Sequence, residues 1–183
     1  RDIGVTGVQT CALPISRIGE LAADYAATRI AAAVLAQVIE SYQKRNQAPL
    51  IDRASRHFAT ISGGRYRGVV VDYDDERQIL KATRADGERL QMEQLSTGRR
   101  DQLFLALRLA AIEGHLDNGE PLPVIVDDIT IQFDDAAAAA TFRVLAELSG
   151  RTQVLFLTHH EHLLDVAAAA IGGDAYRSHR LSA

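Results

Sequence analysis

Pro123-Val124-Ile125-Val126-Asp127-Asp128 is a short apolar run that closes on two carboxylates. A strand without polar alternation is one buried on both faces, which marks a parallel sheet covered by helices. Gln153-Val154-Leu155-Phe156-Leu157 has the same character and leads into Thr158-His159-His160-Glu161-His162. Alanine-rich sequence compatible with helix fills residues 135–148 between the two runs, and a further helix is expected over 160–171, ended by Gly172-Gly173. Residues 176–181 read as a last strand. Strands alternating with helices give an α/β fold. Ligands bind such folds outside the carboxyl ends of the strands, so Asp127, Asp128 and His159 are expected at one edge. Neighbouring side chains on a strand point to opposite sides. One aspartate can therefore hold Mg²⁺ while the other faces an attacking water; the plainer alternative is that both merely close the strand. A histidine at the second strand end can donate a hydrogen bond to a terminal phosphate.

Upstream, Leu95-Ser96-Thr97-Gly98-Arg99-Arg100-Asp101-Gln102 opens a helix expected over 98–115, with Leu103, Leu107 and Ala110 on its apolar face. A hydroxyl residue and a glycine at a helix N-terminus make an anion site. The free N–H groups point outward, the helix dipole adds positive character, and glycine permits close approach. A plain N-cap by Ser96 or Thr97 is the alternative. Phe133-Asp134-Asp135 precedes the helix of 135–148, and either aspartate can cap it, Asp135 being the favoured one.

Further out the pattern turns antiparallel. Ser62-Gly63-Gly64 is a turn. Residues 66–73 carry Val69, Val70 and Val71 and favour strand; residues 78–83 can pair with them across Asp74-Asp75. Asp86-Gly87 is a hairpin turn, followed by a strand over 88–92. Residues 50–62 read as a short helix with Ile51, Ala54, Phe58 and Ile61 on one face, preceded by a break at Pro49. Residues 17–45 read as one long helix. Ile18, Leu21, Tyr25, Thr28, Ala32, Leu35, Ile39 and Tyr42 alternate spacings of three and four, a heptad seam. An amphipathic helix packed on a globular core is the alternative. The expected organisation is a coiled-coil helix over 17–48 and a lobe over 49–183.

With 183 residues, 47% of them hydrophobic and 24% charged, the chain suits one globular domain with a real core. A net charge of −4 argues against a wholly basic nucleic-acid binder, although Arg65, Arg67 and Arg77 could form a local basic face. No apolar run is read as approaching a membrane span, so no membrane partner is expected. A lone cysteine, Cys11, fits a reducing cytoplasm. Residues 5–15, Val-Thr-Gly-Val-Gln-Thr-Cys-Ala-Leu-Pro-Ile, resemble a translated sequencing-library adapter. Residues 1–16 are accordingly set apart from the fold, and the natural reading frame is expected to continue upstream.

The order Leu-Ser-x-Gly, strand ending in Asp-Asp, Phe-Asp, strand ending in Thr-His resembles the C-terminal lobe of the ABC-type heads of SMC-like ATPases, bacterial YhaN-like and SbcC-like proteins above all. Gly63-Gly64-Arg65-Tyr66 and the run from Asp101 to Ala110 look especially YhaN-like, and the resemblance covers residues 17–183. It implies the C-terminal half of a P-loop NTPase head: a parallel sheet flanked by helices, preceded by a coiled-coil helix and a small antiparallel region. It implies that Ser96, Thr97 and Gly98 form the signature motif, which meets ATP held by the opposite head. Asp127 then holds Mg²⁺, Asp128 is the general base, Asp134 works across the dimer, and His159 is the switch histidine. The implied partners are a second head in an ATP-sandwiched homodimer, an N-terminal lobe carrying Walker A, DNA, and an SbcD-like nuclease subunit.

Two residues depart from the family pattern. Asp128 stands where a glutamate is usual, one methylene shorter, and Thr97 replaces a glycine. No Gly-x-x-x-x-Gly-Lys-Ser/Thr occurs in the chain. The chain alone is therefore expected to bind ATP weakly or not at all, and its sheet to expose an apolar edge. The rival readings are an ATP-gated clamp without significant hydrolysis, a related transporter or nuclease head, and a metal-dependent hydrolase using His159, His160, Glu161 and His162 with Asp127 and Asp128. Adjacent histidines seldom converge on one ion, which counts against the last.

Overall fold

Alanine is the commonest residue between Thr6 and Ile61, and one helix, α1 (Thr6–Ile61), spans that stretch. In this computed structural model residues 6–74 and 77–181 are described, with side chains described from residue 17 on except 40, 43–47, 73, 74 and 77. The chain divides into two units, Arg1–Gln47 and Ala48–Ala183.

In the first unit, Ile18, Leu21, Tyr25, Leu35, Ile39 and Tyr42 of the heptad seam are all exposed. The structure differs from expectation at Pro49 and in the apolar length of the helix. The helix does not break at Pro49, which lies inside α1. An interior proline loses one hydrogen bond and crowds the preceding turn, a cost that the helix-forming residues on either side outweigh. The helix also takes in residues 6–16, set apart on sequence grounds. Arg17–Ile39, 23 residues of mean hydropathy 1.2, is long and apolar enough to cross a membrane by length and composition. Asp24 and Arg29 lie within it. Each such charge costs about 2.5–3.5 kcal/mol at a bilayer centre, which favours a helix–helix seam over a span.

The second unit starts with the last turns of α1. Ala54, Phe58 and Ile61 are buried, as their shared face predicts. The helix ends at Gly63 and Gly64, both at positive φ, with Gly64 N–H donating to the Ala59 carbonyl at 2.9 Å. Strands β1 (Tyr66–Asp74), β2 (Arg77–Arg84) and β3 (Arg89–Gln91) form an antiparallel sheet in that order. Asp86-Gly87 turns β2 into β3, closed by Arg84 N–H to the Glu88 carbonyl at 2.8 Å. A Cβ at Gly68 would stand 2.4 Å from Ser55 Cβ, so glycine is what lets β1 lie against α1. Ser55 Oγ accepts from Val69 N–H there at 2.9 Å.

Helix α2 (Thr97–Leu116) buries Leu103, Ala106 and Ala110 against Phe58, Tyr66 and Val69. Its other buried side, Leu105 and Leu109, joins Ile61 and the helix α3 (Asp135–Ser149) residues Val144, Leu145 and Leu148. Strands β4 (Val124–Asp127) and β5 (Val154–Leu157) pair in parallel, with Asp127 opposite Leu157. Val124, Val126, Val154 and Phe156 face this second core. The other face is bare: Ile125 is 64% exposed, Leu157 44% and Leu155 41%. The apolar runs thus read correctly as parallel strands, but helices cover one face and not both. Helix α4 (His162–Ile171) packs Leu163 and Ala167 on Ala138 and Phe142 of α3. The strand expected over 176–181 does not form, and Tyr176 instead donates its hydroxyl to the Leu164 carbonyl at 3.1 Å. Asp117, the C-cap of α2, joins Arg53 of α1 to Arg151 beyond α3.

Candidate functional site

Parallel pairing of β4 with β5 sets their carboxyl ends side by side, and the chemistry-bearing residues follow from there. Asp127 closes β4 with an exposed side chain. Asp128 extends the ladder by one bond, its N–H donating to the Leu157 carbonyl at 3.0 Å, and then turns the chain at φ 45°. That conformation is uncommon for a residue other than glycine and directs the carboxylate toward the end of β5. Asp128 Oδ2 lies 2.6 Å from His159 Nδ1. The Thr158 hydroxyl, and after it His159, hold the Asp128 carboxyl below the usual carboxylate range. Thr158 Oγ1 accepts from His160 N–H at 3.1 Å, and the His159 and His160 rings stack at 3.9 Å between centroids. Asp128, His159 and His160 present ligand atoms that all lie within 4.8 Å of one another.

A second group forms where α2 begins. Ser96 is its N-cap, accepting from Arg99 N–H at 3.4 Å, and Thr97 is exposed in the first turn. A Cβ at Gly98 would meet the Gln132 carbonyl oxygen at 2.6 Å. Glycine is therefore required there by the loop between β4 and α3, whatever ligand approaches. Asp134 caps α3, its Oδ1 accepting from Ala137 N–H at 2.8 Å, while Oδ2 lies 3.8 Å from Arg99. The favoured cap, Asp135, is instead the first residue of the helix. Asp134 holds the extended backbone of a cap and Asp135 a helical one, which decides the matter.

Gly98→Ala should consequently cost about 1–3 kcal/mol by overpacking against backbone that has to move. A thermal melt checks this, and an unchanged melting temperature would contradict the packing.

Of the sequence candidates, Asp128 and His159 meet directly, while Ser96, Gly98 and Asp134 converge through Arg99 and Gln132. Asp127 is in neither set of contacts. His160 is the residue that sequence adjacency argued against and the turn nevertheless brings in. Glu161 pairs with Arg180 outside the cluster. Arg65 lines an open depression of about 440 Å³ with Arg84 and Arg99. The Arg77 side chain of the expected basic face lies outside the described residues.

No protein-family model and no curated protein matches the chain. Solved structures do. One comes from work on the ATP-driven dimerization and DNA-stimulated activation of SMC ATPases, at 19% identity and TM-score 0.57 over 72% of this chain and 76% of that one. The Smc head domain of Pyrococcus furiosus, with an extended coiled coil and bound to the C-terminal domain of ScpA, matches at 18% and 0.53 over 89% of this chain. The Smc head with coiled coil and joint from Pyrococcus yayanosii matches at 17% and 0.52 over 93%. The chain spans 42% and 34% of those last two. The fold is therefore that of an SMC ATPase head.

Proposed function

We propose that this chain is the C-terminal lobe of an SMC-like ATPase head, YhaN-like in kind, that hydrolyses ATP as part of a head dimer in cytoplasmic DNA repair. The observation that carries the reading is the Asp128–His159 contact of 2.6 Å at the carboxyl edge of two parallel strands, within an SMC-head fold. Asp128 is ionised and so equipped to take a proton from water, and His159 is placed to orient it. The exposed Asp127 carboxylate is a hard oxygen donor of the kind Mg²⁺ takes, usually through water. Mg²⁺ held there would neutralise charge on the phosphates. Ser96, Thr97 and Gly98 offer the N-terminus of α2 to the terminal phosphate of ATP on an opposing head, with Asp134 contributing across the same dimer.

The phosphate cradle is assigned to an upstream N-terminal lobe bearing Walker A, which would also cover the bare face at Ile125, Leu155 and Leu157. Residues 17–48 of α1 form the returning coiled-coil helix in this reading, and residues 1–16 remain assigned to adapter translation. DNA meets the arginine-lined depression at Arg65, Arg84 and Arg99, and an SbcD-like nuclease subunit completes the assembly. A clamp without significant hydrolysis is the second reading, supported by the shorter reach of Asp128 and its engagement by His159.

Sequencing the source DNA upstream of the codon for Arg17 tests the proposal. Heptads followed by a Walker A motif are expected, and the protein so joined should turn over ATP in an ATP-dependent dimer. A frame that opens near residue 17, or a joined protein that neither binds nor hydrolyses ATP, would overturn it.

A further inference from the structure

Three side chains beyond the carboxyl ends of β4 and β5 lie close together, Asp128 and His159 of the site above and His160 beside them. We propose that Asp128, His159 and His160 bind one borderline divalent transition cation of the Zn²⁺ or Co²⁺ class. Their ligand atoms all lie within 4.8 Å of one another. Both histidine rings hang from two rotatable bonds, and His159 is 70% exposed, so side-chain rotation can close that span to metal–ligand distances of about 2.0–2.2 Å.

The objection to adjacent histidines is that a regular strand sends them to opposite sides. Here β5 ends at Leu157, and the chain turns before α4 begins at His162. The His160 N–H bond to Thr158 Oγ1 fixes that turn, and the two rings lie side by side, tilted 37° to each other with centroids 3.9 Å apart. One of the donor groups is uncommitted. His160 Nε2 is buried with no hydrogen-bond partner among the described residues. A buried polar atom without a partner carries a desolvation cost that an ion would relieve.

The donor set decides the class of ion. Two imidazoles and one carboxylate match Zn²⁺, Co²⁺ or Ni²⁺, with a fourth position open to water. Mg²⁺ demands oxygen ligands in near-ideal octahedral geometry and is a poor fit. Asp127 is not among the three, so this site differs in position and chemistry from the magnesium role proposed for Asp127. His162, with its ring 5.8 Å from that of His160 and outside the set, serves as the internal control.

The test is a Co²⁺ titration of the full chain in a Cys11→Ser background, so that the lone thiol offers no ligand, followed by visible absorption. One equivalent should bind saturably, be displaced by Zn²⁺ and resist excess Mg²⁺. His159→Gln and His160→Gln should each weaken binding by at least ~10-fold, and His162→Gln should leave it unchanged. His159 is on the surface, so its variant stays informative if loss of His160 disturbs folding. The absence of saturable binding would overturn the proposal. So would His159→Gln binding as tightly as the parent, or His162→Gln weakening it as much. No ATP enters the titration, so failure here leaves the ATPase reading standing, and failure of ATP turnover leaves this site standing.

Discussion

Asp128→Asn, made in the head joined to its upstream lobe, is expected to slow ATP hydrolysis by about 10²–10⁴-fold while ATP binding and head dimerization persist. The amide keeps the size of the carboxylate and can still meet His159, but it has no basic lone pair for a proton. Asp128 is charged at neutral pH, the Thr158 hydroxyl and His159 holding its carboxyl below the usual range, which also makes it a weaker base and turnover slower. The sign of the pH dependence follows. A base with a depressed pKa is competent above that pKa, so the acid limb of turnover should fall below about pH 4, the ordinary carboxylate value. Stability runs the same way. The contribution from the lowered pKa is complete above the unfolded value and is lost as pH falls through the folded one. Single-turnover hydrolysis in parent and variant, with nucleotide binding measured in parallel, checks the effect. Equal slow turnover in both would remove Asp128 as the base and leave the clamp reading in its place.

Much of this site was legible in the sequence because its parts sit at the ends of apolar strands. Apolar runs of that length, separated by helix-forming alanine, specify parallel strands, and parallel strands share a carboxyl edge. That logic placed Asp127, Asp128 and His159 without any tertiary information. Asp86-Gly87 was equally readable, since a hairpin turn demands residues that tolerate positive φ. What escaped depended on backbone geometry away from the ideal. The positive φ of Asp128 aims its carboxylate at His159, and the turn after Leu157 stacks His159 on His160; a period-2 pattern encodes neither. The packing demand on Gly98 was not readable either: a Cβ there would meet the Gln132 carbonyl oxygen at 2.6 Å, a contact set by the loop between β4 and α3. Residues 176–181 were read as a strand, yet Tyr-Arg-Ser-His-Arg-Leu holds no β-branched residue and pairs with no described strand. Pro49 was read as a break because its local cost is real, yet the helix formers on either side carry α1 through it.

Phe58→Ala is the substitution expected to damage the fold most, costing about 3–5 kcal/mol. Phe58 is 0% exposed, and its ring packs on Tyr66 with centroids 4.8 Å apart. Around it lie Ala54, Val69, Leu95 and Leu103, drawn from α1, β1, the segment before α2, and α2 itself. Several of these neighbours are small or anchored in paired strands, so they cannot collapse into the space a missing ring leaves, and the cavity persists. At about 2–4 °C per kcal/mol for a domain of this size, the melting temperature should drop by roughly 6–20 °C. Tyr25→Ala supplies the contrast. Tyr25 is on the same helix but 67% exposed, so its loss should stay within about 0.5 kcal/mol when the chain melts alone. The two variants together locate the stabilising part of α1. A large drop for Phe58 and none for Tyr25 means that the last turns of the helix belong to the lobe and the earlier turns await a partner helix. Comparable drops for both would mean that the heptad face already has a partner, such as the same face of a second copy.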